Sequence, residues 1–104
     1  MSESTDVLAW LQEWYLAQCD GDWEHQWGIK IETLDNPGWT VRIEIGGTVL
    51  ERCTYSKQSI ERSDDDWVET WRSQHAFHAA CGPENLAEVL TLFRDWARAA
   101  DIRA

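Results

Sequence analysis

A chain of 104 residues with nineteen acids against nine lysines and arginines, a formal charge of −10, reads as one acidic domain over residues 1–104 with room for a single core. That charge excludes nucleic acid and anionic membranes as ligands and favours a basic partner, whose encounter it would speed. No stretch reaches the ~18 consecutive apolar residues of a membrane span. The acidic start Met-Ser-Glu-Ser-Thr-Asp does not read as a secretory signal, and three widely spaced cysteines, Cys19, Cys53 and Cys81, fit a reducing cytoplasm better than a disulfide framework.

In chain order, residues 5 to 19 predict an amphipathic helix. Val7, Leu8, Leu11, Trp14 and Tyr15 recur at three and four, with Thr5 or Asp6 as N-cap and Asp20-Gly21 as the stop. From Trp27 the period changes to two: Trp27, Ile29 and Ile31 alternate with Gly28, Lys30 and Glu32, the pattern of a half-buried strand. Asn36-Pro37-Gly38 predicts a turn in which proline presets the second position and glycine takes a positive φ. Trp39, Val41, Ile43 and Ile45 alternate next, and Gly46-Gly47 predicts a tight hairpin into a third strand from Thr48 to about Tyr55. Ser63-Asp64-Asp65-Asp66 is a charged turn, and Trp67 to Arg72 with Ala76 to Cys81 gives a last hairpin. Gly82-Pro83 opens a final helix with proline in its first position, followed by the stripe Leu86, Val89, Leu90, Phe93, Trp96 and Ala97. The fold class expected is therefore α+β: an antiparallel meander of about five strands flanked by an N-terminal and a C-terminal helix packed on the sheet.

The order Trp10-Leu11-Gln12-x-Trp14-Tyr15, Cys19-Asp20-Gly21-Asp22-Trp23-Glu24-His25, Gly28-Ile29-x-Ile31 and Thr33-Leu34-Asp35-Asn36-Pro37-Gly38-Trp39 resembles the immunity protein 53 family of bacterial polymorphic toxin systems. The likeness is dense over the first 45 residues or so, with a weaker echo in Asp66-Trp67 and Gly82-Pro83-Glu84-Asn85-Leu86. It implies a cytoplasmic antidote that binds and neutralises a cognate toxin domain without turnover and without a cofactor. An acidic antidote in turn suits a basic toxin such as a nuclease.

Other chemistries fare less well on the residues themselves. Asp20, Asp22 and Glu24 occupy positions 1, 3 and 5 of a calcium loop, but His25 stands where position 6 needs glycine and Ile31 where position 12 needs an acid. A looser metal- or ligand-binding module on Asp20 to His25 is the alternative reading. His75, His78 and Cys81 suggest zinc by composition, yet on a strand a spacing of three places the two histidines on opposite faces. A small cysteine-dependent enzyme built on Cys19 or Cys81 lacks a visible oxyanion hole, and Gly46-Gly47 lacks the spacing and lysine of a phosphate loop. No catalytic and no metal residue is assigned.

Eight tryptophans exceed what one small core requires. Trp14, Trp39 and Trp96 fall on apolar stripes and belong to the core; Trp10, Trp23 and Trp27 crowd the acidic connection; Trp67 and Trp71 share a strand face with Glu69. The partner-binding surface is placed on that connection, on Asp20, Asp22, Trp23, Glu24, His25 and Trp27, where an aromatic anchor sits among steering charges. The competing reading is that Asp20 and Asp22 merely cap backbone N–H groups.

Overall fold

The structure, a computed structural model, describes residues 3–103. Two long helices, α1 (Glu3–Gln18) and α3 (Leu86–Arg103), cover one face of an antiparallel sheet, and a short helix α2 (Trp23–Gln26) lies in the connection after α1. The strands are β1 (Ile29–Leu34), β2 (Gly38–Glu44), β3 (Gln58–Ser63), β4 (Asp66–Arg72) and β5 (Ala76–Cys81), in the spatial order β1-β2-β5-β4-β3. The fold is α+β with a five-stranded antiparallel sheet, as the alternating pattern implied.

Neighbours are consecutive only within each half of the sheet. β2 pairs with β5, Val41 opposite Ala79 and Ile43 opposite Phe77, so the chain crosses from the centre to the far edge after β2 and returns through β3 and β4. Val41, Ile43, Val68, Phe77, Ala79 and Cys81 face the helices and meet Val7, Leu11, Val89, Leu90, Phe93 and Ala97 in one core. Phe93 is its centre, with the rings of Trp14 at 5.0 Å, Phe77 at 5.1 Å and Trp10 at 5.9 Å.

The crossing overturns the third predicted strand. Gly46-Gly47 makes no hairpin, and Val49–Arg52 is a 3-10 turn. Thr48 drives the change: its hydroxyl accepts from Leu50 N at 3.1 Å and donates to Ile45 O at 2.7 Å, while Leu50 alone turns inward. Arg72 then donates to the carbonyls of Leu50, Glu51 and Cys53 and pins the turn to the end of β4. The actual β3, Gln-Ser-Ile-Glu-Arg-Ser, escapes a hydropathy reading because it is a polar edge strand with only Gln58 and Ile60 partly inward, Ile60 its one apolar residue.

Three boundaries also move. The Asn36–Pro37 peptide is cis, and Gly38 has no positive φ; it begins β2 where a Cβ would lie 2.3 Å from the Cys81 carbonyl oxygen. Pro83 sits in a turn closed by Asn85 N donating to Gly82 O at 3.2 Å, so α3 starts only at Leu86. Since α1 starts at Glu3, Asp6 lies within the helix and is not its cap; the Thr5 side chain lies outside the described residues.

Candidate functional site

The acidic connection is shaped by its own carboxylates. Asp20 Oδ1 accepts from Asp22 N at 2.9 Å and from Trp23 N at 3.0 Å, while Glu24 accepts from Asp20 N at 3.0 Å and Gly21 N at 2.9 Å. Gly21 takes φ +94°, which a side chain would resist. These bonds lower both carboxyl pKa values: the Trp23 N–H leads for Asp20, and backbone N–H groups, its own first, lead for Glu24. Both therefore stay anionic well into acid. The capping reading of Asp20 thus describes what the residue does locally, and Glu24 joins it.

Asp22 differs. It stands at the N-cap of α2 without a side-chain cap bond, so its exposed carboxylate is free of that duty. His25 is exposed as well.

Trp23, expected among the presented residues, is only 6 % exposed. Its indole N–H donates to Gly46 O at 2.8 Å, and its ring meets Tyr15 and Trp14 edge to face at 6.0 and 6.2 Å. Trp23 is therefore the fastener of the loop. Trp27 is half-buried against His75, at 5.4 Å, and over Gly46, where a Cβ would come within 2.7 Å of the ring.

The same economy recurs elsewhere: Trp39 Nε1 donates to Pro83 O at 3.0 Å and Trp96 Nε1 to Thr54 O at 2.9 Å. Trp23, Trp39 and Trp96 thus pack their rings inward and tie loops down with their N–H groups.

Beside the connection, α1 and β1 leave a surface groove of about 420 Å³ lined by Leu11, Gln12, Tyr15, Trp27 and Ile29, with Glu24 at one end. Leu8 (54 %), Leu16 (71 %), Tyr15 (39 %) and Ile31 (37 %) add exposed apolar surface on the same elements. The apolar stripe expected of α1 hid this groove, because it included Leu8 and Tyr15, which are exposed: with Gln12 and Leu16 they recur at three and four outside the stripe that Val7, Leu11 and Trp14 bury. Residues 1 to 29 also contain six acids and no lysine or arginine.

The opposite, uncovered sheet face carries Trp67, Glu69 and Trp71 from β4, with Arg42 and Glu44 from β2. Trp71 stacks on His78 at 5.5 Å and 10°, and burial, then Arg42, lowers the His78 pKa. His75 lies before β5 and contacts Glu51, so the two histidines do diverge. No group of three or more His, Cys, Asp or Glu among the described residues is placed to hold a metal ion. No helix among them is long and apolar enough to cross a membrane.

Fold and site together define a small acidic α+β domain whose charged connection is fastened by bonds from its own backbone N–H groups to the Asp20 and Glu24 carboxylates. The chain belongs to the Immunity protein 53 family, whose sequence profile matches residues 8–98, and is thus an immunity protein. Neither a curated protein nor a solved structure matches it.

Proposed function

We propose that this chain is the stoichiometric antidote of a cognate toxin domain with a basic surface, such as a nuclease, and that it acts in the cytoplasm. The family match over residues 8–98 carries the antidote reading. Charge supports the basic partner. Several cations of the described residues are already committed internally: Arg62 to Asp66 and Glu88, Arg72 to backbone carbonyls, Arg42 to Glu44. The acids of the first 29 residues have no such neighbours in sequence. The surface met by the toxin is the Asp20–Trp27 end, with Asp22 and His25 outermost and Trp27 at the groove, while Asp20, Trp23 and the half-buried Glu24 hold these in place.

Binding rather than turnover is also favoured by the cysteines. Burial pushes the Cys81 thiol up to about 11, which leaves it protonated at neutral pH, and Cys19 donates to the Tyr15 carbonyl at 3.3 Å. The test is a titration of the purified chain with the toxin domain encoded by the neighbouring gene, paired with co-expression in cells. A one-to-one complex and restored growth are expected; a chain that protects cells at far below one equivalent would overturn the stoichiometric reading.

A further inference from the structure

β1 is an edge strand whose free side is unpaired. Gly28 O accepts from Glu44 N at 3.0 Å, which sets the alternation of the β1–β2 ladder. Lys30, Glu32 and Leu34 therefore exchange bonds with Arg42, Thr40 and Gly38, while the N–H and C=O of Ile29, Ile31 and Thr33 point away from the sheet. The side chains of these three share the helix-covered face with Ile43, Val41 and Trp39. They stand beside the α1–β1 groove, whose α1 wall is Leu11, Gln12 and Tyr15.

We propose that the toxin adds a strand to this edge of β1, sets alternate apolar side chains in the α1–β1 groove, and brings lysine or arginine to its Asp22–Glu24 end. The proposal rests on the antidote reading above and specifies its contact. An extended occupant is favoured over a helix because only a strand can satisfy three outward backbone pairs on one edge. A toxin is favoured over a second copy of this chain by charge. The first 29 residues, which build α1, α2 and the start of β1, carry six acids without one lysine or arginine, so two copies edge to edge would repel. The three pairing residues themselves are uncharged, and the β1 charges Lys30 and Glu32 lie on the other face. Nothing charged on β1 thus needs to move for an added strand to reach the groove.

The probe is the toxin domain encoded beside this gene, made catalytically inactive and titrated by calorimetry. Ile31→Pro deletes one outward N–H while sparing the β1–β2 ladder, a position where edge strands tolerate proline. It is expected to weaken binding about tenfold or more, the worth of one backbone bond plus the groove contact. Leu16→Lys is expected to weaken it by a similar factor, and Val49→Lys, an exposed apolar residue on the 3-10 turn, to bind like the parent. Should Ile31→Pro fail to fold, Thr33→Pro makes the same test. Hydrogen exchange on the parent complex gives a further one, with the Ile29, Ile31 and Thr33 amides slowed by bound toxin. Parent affinity in a folded proline variant, or unslowed amides in the complex, overturns the strand addition. So does a homodimer that Ile31→Pro dissociates. Absence of any binding by the parent overturns the antidote reading instead, and the strand addition with it.

Discussion

At Trp23 the ring and the N–H do separable work. The ring fills the space between α1 and the Gly46 corner, and the N–H satisfies a carbonyl that would otherwise face it unpaired. Trp23→Ala is expected to cost about 3–5 kcal/mol in urea unfolding, the range for deleting a buried large aromatic. Trp23→Phe keeps most of the packing and strands the Gly46 carbonyl, so a loss of about 1–2 kcal/mol is expected. Equal losses in the two variants would refute this division. Cys81 supplies a chemical counterpart. A fully buried thiol held near 11 should resist iodoacetamide at pH 7.5 until the chain unfolds, whereas Cys19 should be modified in the folded protein. Protection of cells should survive Cys19→Ala.

At the scale of elements, one polar knot fastens the β3–β4 hairpin to the start of α3. Arg62 on β3 contacts Asp66 on β4 at 2.8 Å and Glu88 on α3, and Asn85 Nδ2 donates to both carboxylates at 2.9 and 3.1 Å. Asn85 Oδ1 accepts from Trp67 N at 3.3 Å, so this buried side chain is satisfied at both ends. Asn85 chiefly lowers the Asp66 pKa, and Arg62 chiefly lowers that of Glu88. A carboxyl whose folded pKa is depressed contributes stability above its unfolded pKa, about 4. That stability is lost as pH falls through the lower, folded value. Arg62→Ala should therefore lower stability at pH 7 and narrow the gap to the parent as pH drops below about 4, read as unfolding midpoints across the acid range. A gap that stays constant down to pH 2 would argue that Arg62 acts only by packing.

Much of this architecture was legible because burial writes a period. The alternation of Trp39 to Ile45, the Trp67–Arg72 and Ala76–Cys81 pair, and the stripes of α1 and α3 all appear as two layers packed on one core. What was not legible is whatever burial does not govern. β3 exposes most of its residues, so no hydrophobic alternation marks it, and its place at the edge follows from a crossing that local pattern does not encode. Thr48 to Tyr55 has strand-like composition, but hydroxyl caps and Arg72 decide its path through contacts with residues roughly twenty positions away. In the connection, the three acids were legible as a cluster. Their division into Asp20 and Glu24 as backbone caps and Asp22 as a free charge needed the geometry.

Over the whole molecule, a charge of −10 is unevenly spread, with six acids and no lysine or arginine before Lys30. A field of that shape should orient the domain so that its α1–α2 end leads towards a basic surface. Steering of this kind acts on the association rate more than on dissociation. The rate constant for toxin binding should therefore fall about tenfold or more between 50 and 500 mM salt, with dissociation nearly unchanged. Asp22 is the cleanest place to probe the field by mutation. Glu24→Lys would also remove the bonds to Asp20 N and Gly21 N, and Asp20→Lys those to Asp22 N and Trp23 N, so each would confuse charge with loop structure. Asp22→Lys leaves those bonds in place and changes the local charge by two. It should slow association several-fold at 50 mM salt and by much less at 500 mM, with an unchanged melting temperature. If stopped-flow mixing finds the same association rate for Asp22→Lys and parent at low salt, the toxin does not approach this end, and the leading surface must lie on the uncovered sheet face around Arg42, Glu44 and Glu69.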